Sequence, residues 1–391
     1  MPDFHAEAQA LFETTRFLRR DFHRHPELAF QEVRTAGIVA RELNALGLEV
    51  HSGIAKTGVV ALLEGARPGP VLLLRFDIDA LPIVEETGAE YASQNPGVMH
   101  ACGHDGHTAI GLSVARLLHN HRQELSGTVK LVFQPAEEGF GGAETMIAEG
   151  VLENPKPELT LALHLWNHAP VGWLGIASGP TMAAADVLRI KITGKGGHGA
   201  MPHEAVDPVL ASAYVLTALQ SVVSRNVPPL QAAVISVTML RAGEAFNVIP
   251  PQVEMQGTVR TFDPAVRERV VQRIHQVVEQ TASGLGCQAE VEVKSLTPAV
   301  INDPTIAERV AKVAADLFPG SQIDRHCQAM GSEDMAFMMQ QVPGCYFFVG
   351  SANDAKGLNA SHHHPKFDID EDVLPQAVAL MTAAAYDYLK T

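Results

Sequence analysis

The feature of this chain that most constrains its fold is a change in the order of its apolar segments near residue 184. Before that point, a helical apolar stripe at residues 110–118 lies between strand-like apolar runs, which occupy residues 71–76, 128–133 and 159–163. Apolar strands that alternate with amphipathic helices are typical of an α/β fold. The near-continuous apolar runs further predict a mixed, largely parallel sheet whose strands are buried on both faces.

After residue 184 the pattern becomes strand, helix, strand, strand, helix and strand. These segments are predicted at residues 187–192, 208–224, 233–240, 253–261, 264–283 and 289–293. The order βαββαβ indicates a ferredoxin-like arrangement. Because a helix and a strand of the first kind resume beyond it, we predict one domain made of residues 1–183 and 297–391, with residues 184–296 inserted as a second domain.

Composition limits the partners and the setting of the protein. The formal net charge of the 391 residues is −15, which argues against nucleic acid and anionic membranes as partners. No apolar run is long enough to span a bilayer, and no secretory signal is visible. The four cysteines are too scattered for a disulfide framework, so we expect a cytoplasmic, reducing setting.

Residues 99–107 contain one cysteine, three histidines and one aspartate together with two glycines. Thiolate and imidazole suit a transition metal, and alternate residues of an extended segment point to the same side. The glycines allow tight turns that can hold Cys102 and His104 close together. Taken alone, the segment is equally compatible with a structural turn that buries the cysteine and exposes the histidines.

Further candidate ligands follow strand-like runs elsewhere in the chain. Glu137 and Glu138 come after the run at residues 128–133, His164 ends the run at 159–163, and three histidines occupy 362–364. Loops at the carboxyl ends of sheet strands are where α/β folds place their sites. Beside a divalent cation, one carboxylate of such a pair can bind the ion while the other acts as general base. Without a cation, the pair is an ordinary solvated turn and His164 an ordinary core histidine.

Four motifs carry a resemblance to a known family. They are HACGHDGH at residues 100–107, PAEEG at 135–139, GGHGAMPH at 196–203 and FNVIP at 246–250. Together they resemble the amidohydrolase branch of the aminoacylase-like metallopeptidases. This branch includes hippurate hydrolases, N-acyl-amino-acid deacylases and plant auxin-conjugate hydrolases. The resemblance extends from the FHRHPE motif to the C-terminal helix and so covers essentially the whole chain.

The resemblance implies a centre with two divalent ions per subunit, of zinc, manganese, nickel or cobalt. Cys102 would bridge the two ions, in the place that an aspartate holds in the wider group. His104 and Glu138 would complete the protein ligands of one ion, and His164 and His363 those of the other. Many relatives have Leu-His-Asn-Pro where this chain has His-His-His-Pro, a departure that leaves room for a slipped ligand or a third metal.

The resemblance also implies roles outside the ligand set. Glu137 would be the general base, and His198 would reach from a partner subunit to polarise the scissile carbonyl. The inserted domain would then be a lid and dimerisation domain in a homodimer or homotetramer. Two further pairs complete the expected site: Asn247 and Arg260 as substrate contacts, and Asp77 and Asp79 as residues that orient ligand histidines.

The implied activity is hydrolysis of the amide bond of N-acyl amino acids through a metal-bridging hydroxide, with release of a carboxylic acid and a free amino acid. A dipeptidase, a carboxypeptidase or an N-acetyl-diaminopimelate deacetylase would use the same site. A hydrolase with Cys102 as nucleophile and His104 or His107 as base would leave the other motifs unused. A metal-binding protein without activity would not need Glu137.

Overall fold

Residues 1–390 of the chain are described by a computed structural model. The helices are α1 (Phe4–Ala10), α2 (Phe12–Arg24), α3 (Val33–Ala45), α4 (His104–Asn120), α5 (Gly142–Ala148), α6 (Pro208–Asn226), α7 (Pro264–Gly284), α8 (Pro304–Leu317), α9 (Met335–Met339) and α10 (Leu374–Leu389). The strands are β1 (Glu49–Ile54), β2 (Gly58–Glu64), β3 (Arg67–Asp77), β4 (Ser126–Gln134), β5 (Leu159–Pro170), β6 (Trp173–Gly175), β7 (Gly179–Met182), β8 (Ala184–Thr193), β9 (Gly197–His198), β10 (Ala233–Ala242), β11 (Val248–Ile249), β12 (Gln252–Thr261), β13 (Gln288–Thr297), β14 (Val300–Asn302), β15 (Gln322–Asp324) and β16 (Gly344–Ala352).

The chain divides into two units, each with dense internal contacts. The first unit comprises Met1–Gly179, Ile301–Cys327 and the residues from Asp334 onward, and the second comprises Pro180–Val300 and Gln328–Glu333. The short second segment was not part of the insert expected at residues 184–296. It joins the second unit because the backbone of Ala329 exchanges hydrogen bonds with Thr181 and Ala183.

The first unit is built on an eight-stranded sheet with the order β1-β2-β4-β3-β5-β16-β6-β15. Strands β4, β3, β5 and β16 run parallel to one another at its centre. Strand β2 pairs antiparallel with both of its neighbours, β1 and β4. The central strands are buried on both faces over most of their length, as their apolar sequences predicted. The expectation of an α/β fold with a largely parallel sheet is therefore confirmed.

Two helices of the first unit, α4 and α10, are buried along most of their length. Helix α4 begins directly after Gly103, whose φ of 91° lies in the left-handed region that glycine tolerates. Its side chains pack with those of the central strands into one hydrophobic core. No helix within residues 1–390 is long and apolar enough to cross a membrane.

The second unit contains a four-stranded antiparallel sheet with the order β10-β12-β8-β13. Two long helices, α6 and α7, contribute to the same hydrophobic core as this sheet. Both helices begin with proline after an aspartate, Asp207 or Asp263, whose carboxylate accepts hydrogen bonds from two backbone amides of the first turn. Along the chain, the four strands of this sheet and the two helices follow one another as strand, helix, strand, strand, helix and strand.

Candidate metal centre

Several candidate residues converge because neighbouring strands of the large sheet carry them or lead into them. Strand β3 lies between β4 and β5, and all three run in the same direction. Asp77 ends β3, the loop with Glu137 and Glu138 follows β4, and His164 lies in the middle of β5. The carboxyl ends of parallel strands meet at one edge of a sheet, which explains why residues far apart in sequence come together there.

Cys102, His104 and His164 form the first donor group. One potential ligand atom from each of them lies within 4.8 Å of the others. The Cys102 Sγ is 3.5 Å from His164 Nε2. The Nδ1 of His164 donates to the carbonyl oxygen of Leu165 at 2.6 Å, so its Nε2 carries the lone pair that faces the thiol.

Glu138 and His363 form a second donor group with the same cysteine. The Glu138 Oε1 lies 3.2 Å from His363 Nε2. His363 has a φ of 65°, an unusual backbone conformation for a non-glycine residue, and its amide donates to the Ala101 carbonyl at 2.8 Å. The two groups that share Cys102 thus join His104 with His164 and Glu138 with His363. A further group joins His104 with Glu137 and Glu138, so His104 also lies near Glu138, the residue with which the resemblance paired it.

The other two histidines of the 362–364 run are engaged elsewhere. The Nε2 of His362 donates to the Leu165 carbonyl at 3.0 Å, and its ring packs 4.9 Å from that of Trp166. Burial lowers the pKa of His362 to about 3, so this ring is neutral. The Nδ1 of His364 accepts from the Lys366 amide at 3.0 Å. Of the three, His363 is the one whose ring faces the carboxylates.

Asp79 fixes the orientation of His104. The Nδ1 of His104 lies 2.9 Å from the Asp79 carbonyl oxygen and 3.2 Å from its Oδ1. The Nε2 of His104 is buried and has no hydrogen-bond partner among residues 1–390. Burial lowers the pKa of His104, but Asp77 and Asp79 outweigh it and raise the pKa to about 10. A cation at Nε2 would take the place of that proton.

Asp77 and His107 brace the centre from one side. The Oδ1 of Asp77 accepts from His107 Nδ1 at 2.6 Å and its Oδ2 accepts from Arg75 at 2.5 Å. The His107 Nε2 accepts from the Leu165 amide at 2.9 Å. Although Asp77, His104 and His107 also lie within ligand distance of one another, Asp77 and His107 already use these atoms in hydrogen bonds. They support the backbone next to His164 instead.

The electrostatics of the centre match a cation site. Burial, then Glu138 and Glu137, raise the pKa of the Cys102 thiol well above its usual range. Burial, then His107, hold the pKa of His164 well below its usual range. A neutral imidazole is ready to bind a cation, whereas the thiol needs a nearby cation in order to ionise. The donors therefore fit divalent transition-metal ions, which favour thiolate, imidazole and carboxylate together.

A buried ionic network next to the first turn of α4 was not predicted from the sequence. Arg19 of helix α2 is fully buried and donates to Asp105 at 2.7 Å and to Asp368 at 2.6 Å. His23 lies 2.7 Å from the same Asp105 oxygen. Asp105 directly follows the candidate ligand His104, so this network holds the first turn of α4. A single sequence does not reveal it, because arginine and aspartate are normally exposed.

The remaining predicted residues belong to the second unit. His198 is exposed, and its strand β9 pairs with β11, with His198 opposite Val248. Asn247 lies beside it, because its carbonyl accepts from the Gly199 amide at 2.8 Å. Arg260 lies on β12, opposite Val234 and Ala185, and burial lowers its pKa. The structure thus brings Asn247, which directly precedes β11, next to His198 of β9 and places Arg260 on the four-stranded sheet.

Comparison with known proteins gives consistent matches over nearly the whole chain. Residues 73–387 match the model of the peptidase family M20/M25/M40. The chain is 42% identical to the N-acetylcysteine deacetylase of Bacillus subtilis, over 96% of this chain and 96% of that protein. It is 38% identical to thermostable carboxypeptidase 1 of Saccharolobus solfataricus, over 91% of each.

A solved structure supports the same assignment of fold. The Bacillus subtilis YXEP protein, a dinuclear metal binding peptidase from the M20 family, aligns with a TM-score of 0.86 at 38% identity. The alignment covers 97% of this chain and 99% of that chain.

Proposed function

The chain belongs to the peptidase family M20/M25/M40, and from this premise we propose that it hydrolyses the amide bond of N-acyl amino acids. It is a metal-dependent amidohydrolase. The observation that carries the proposed reaction is the position of two adjacent carboxylates in the donor cluster. Potential ligand atoms of His104, Glu137 and Glu138 lie within 4.8 Å of one another. The products are a carboxylic acid and a free amino acid.

We propose that the centre holds divalent cations and that Cys102, which belongs to both donor groups, would serve both of two such ions. His104 and His164 would hold one cation, and Glu138 and His363 would hold the other. This assignment follows the two donor groups that share the thiol. Zinc, manganese, nickel and cobalt all suit this mixture of donors. When bound, the cations supply Lewis acidity that promotes ionisation of the attacking water and stabilises negative charge on the carbonyl oxygen.

Glu137 is the proposed general base. It precedes the ligand Glu138 in the loop after β4, which keeps one carboxylate for binding and one for proton transfer. Glu137 accepts a proton from the attacking water and delivers it to the nitrogen of the leaving amino acid. Delivery of this proton lets the amine leave as a neutral group and returns Glu137 to its carboxylate form.

His198 is the proposed donor to the carbonyl oxygen, acting from a partner subunit. Its Nδ1 accepts a hydrogen bond from the Ala200 amide at 3.0 Å. The neutral ring therefore carries its proton on Nε2, where it can donate to the oxygen as negative charge develops. Asn247, next to it on the ladder, and the guanidinium of Arg260 are proposed to contact the carbonyl and the carboxylate of the substrate.

We propose that the second unit is a ferredoxin-like lid that also dimerises. Its exposed apolar side chains support this role, because Leu210 and Tyr214 of α6 and Leu240 of β10 are 47–56% exposed. Mixing an inactive His198→Ala chain with an inactive Glu137→Gln chain should restore activity through mixed dimers. No recovery despite demonstrated subunit exchange would contradict a shared site.

A hydrolysis screen tests the proposed reaction. The protein is stripped with a chelator, reloaded with one metal at a time, and offered N-acetyl amino acids, N-benzoyl amino acids and dipeptides, with the released amino acid measured. We expect activity to disappear on chelation and to return with metal. Glu137→Gln should keep the metal and lose roughly 10²–10⁴-fold in rate. A chelated enzyme of normal rate, or a fully active Glu137→Gln variant, would refute the mechanism.

A carboxypeptidase is the second candidate, because a relative at 38% identity bears that name. Faster release from dipeptides than from N-acetyl amino acids in the same screen would favour it, or a dipeptidase. The deacetylation of N-acetyl-diaminopimelate is tested as one more substrate of the screen.

A cysteine nucleophile is disfavoured, because burial and the neighbouring glutamates raise the pKa of the Cys102 thiol. The Cys102→Asp variant separates the two roles, since aspartate can replace a bridging ligand but not a thiolate nucleophile. We expect Cys102→Asp to bind divalent cations and to retain part of the activity. Complete loss of activity with normal metal content would favour the nucleophile.

A further inference from the structure

Backbone strain outside glycine is concentrated on three segments around one buried carboxylate, that of Glu32. Phe30 has a φ of 60°, Lys56 of 71° and Ala136 of 56°. Left-handed backbone at such residues costs on the order of 1–3 kcal/mol each and persists where surrounding contacts fix it. The contacts around Glu32 are therefore expected to hold these segments in their strained conformations.

Glu32 links two of these segments directly. Its side chain is fully buried. The Oε2 accepts from Thr57 Oγ1 at 2.5 Å, directly after Lys56, and the Oε1 accepts from the Ala136 amide at 3.0 Å. Glu32 is also the residue before helix α3, yet its side chain makes no capping hydrogen bond to that helix. Its carboxylate is directed to other parts of the chain instead.

The hydrogen bond from the Ala136 amide to Glu32 lies in the loop that carries both glutamates of the site. Ala136 is buried, and its carbonyl accepts from the Gly142 amide at 3.1 Å, which closes the loop on itself. There is no space for a larger residue at this closure, since a Cβ on Gly142 would lie 1.7 Å from the Pro135 oxygen. Glu137 is the next residue after the amide that Glu32 holds.

We propose that Glu32 is a positioning residue that sets the orientation of the peptide between Pro135 and Ala136 and thereby aims the Glu137 carboxylate at the reacting atoms. The inference rests on the proposed function of Glu137 as general base. Glu138 has its own anchor, because its amide donates to Asp79 Oδ2 at 3.1 Å. Loss of the Glu32 contact should therefore disturb the base more than the ligand, and impair turnover more than metal binding.

The test compares Glu32→Ala, Glu32→Asp and Glu32→Gln with a matched control, Glu27→Ala. The Glu27 carboxylate also accepts from two backbone amides, those of Arg34 and Thr35 at 2.9 and 2.8 Å, but both belong to helix α3. We expect Glu32→Ala to lower kcat about 10–100-fold with little change in KM or metal content. Glu32→Asp, one methylene shorter, should lose turnover even if the alanine variant does not fold. Glu32→Gln should recover most of it, because its amide oxygen can still accept from Ala136.

Two readouts separate positioning from a general loss of stability. In a Glu137→Gln background, Glu32→Ala should reduce the residual rate by less than about twofold, since residues that act as a unit are not additive. Amide hydrogen exchange, which needs no substrate, should accelerate in Glu32→Ala in peptides that cover residues 133–142, and not in Glu27→Ala.

Distinct results would overturn the inference and the proposed function. Normal kcat and unchanged exchange in the Glu32→Ala and Glu32→Asp variants would overturn the positioning role. An equal loss of rate on Glu32→Ala in the wild-type and Glu137→Gln backgrounds would also overturn it. So would a loss of rate in Glu27→Ala as large as that in Glu32→Ala. A wild-type protein that cleaves no N-acyl amino acid would refute the function, and hydrogen exchange would still decide whether Glu32 holds the loop.

Discussion

Replacement of Arg19 by methionine is expected to destabilise the first unit far more than the same replacement at Arg20. Arg19 is fully buried and forms ion pairs with Asp105 at 2.7 Å and Asp368 at 2.6 Å. Arg20 is its neighbour on the same helix, but its side chain is 32% exposed and its ion pair is with Glu371 at 2.6 Å. The two arginines thus allow the same substitution to be compared in two environments that differ mainly in burial.

The size of each effect follows from burial. Burial raises the pKa of Asp105, but Arg19 and then His23 outweigh it and hold the pKa well below its usual range. Without Arg19, the buried Asp105 and Asp368 lose their principal cation. Breaking a buried ion pair on one side costs about 3–5 kcal/mol. Breaking a partly exposed pair, as in Arg20→Met, costs about 1 kcal/mol or less.

Tryptophan fluorescence during urea unfolding measures this difference. The chain has two tryptophans, and both Trp166 and Trp173 lie in the first unit. The signal therefore reports on the unit that contains the substitution. A free energy of unfolding for Arg19→Met within about 1 kcal/mol of that for Arg20→Met would refute the view that these buried carboxylates depend on Arg19.

Three further outcomes are expected. Burial lowers the pKa of His23, but its carboxylate partners raise it from 6.5 to about 9. A raised pKa contributes stability below pH 6.5 that is lost as the pH rises through 9, so about 3 kcal/mol of wild-type unfolding free energy should disappear over this interval. Urea titrations of His23→Gln should lack this loss, and an equally steep decline would contradict the assignment. Asp79→Asn should weaken metal binding about 10–100-fold, because the carboxylate charge that orients His104 is lost. Competition with a fluorescent chelator measures the affinity, and an unchanged value would argue against that role. His362 belongs to none of the groups of potential metal ligands found among residues 1–390, so the metal-to-protein ratio of His362→Leu by elemental analysis should equal that of wild type. A lower ratio would make His362 a ligand.

The buried parts of the fold were predictable because burial on both faces produces apolar sequence. Strand β4 was expected at residues 128–133 and extends over Ser126–Gln134. Strand β3 was expected at residues 71–76, and its additional first residues, from Arg67 to Gly69, are exposed. Hydrophobic runs signal the buried part of a strand and say little about the rest.

Elements with polar inward-facing residues were not predicted. Helix α2 buries Thr15, Arg19 and His23 together with Leu18 and Phe22. With Arg19 and His23 directed inward, this helix is polar on average, and its sequence contains no apolar run like those that marked the buried strands. Strand β1 is largely exposed at the edge of the sheet and gives no apolar signal either.

The candidate ligands could be identified by residue type and family resemblance, but their grouping depends on distances. Sequence order places His104 and Glu138 before His164 and His363, which is also how the resemblance paired them. In the structure, distances of at most 4.8 Å join Cys102 and His104 with His164, Cys102 and Glu138 with His363, and His104 with Glu138. Neither Glu32 nor the contact that it makes with Ala136 has a sequence signature, because the contact joins a side chain to a backbone amide 104 residues away.

Two kinds of carboxylate lie near the candidate centre, and they differ in the groups that balance their negative charge. Asp77 and Asp105 each pair with a buried arginine and a histidine, so their charge is neutralised by the protein itself. Around Cys102, burial and then the negative charge of Glu138 and Glu137 instead raise the pKa of the thiol. Divalent cations would reverse that effect, since they stabilise a thiolate and carboxylates together. The arginine-paired aspartates therefore fix the positions of His107 and of the first turn of α4, while Cys102 and Glu138 remain the negative groups that we propose as metal ligands.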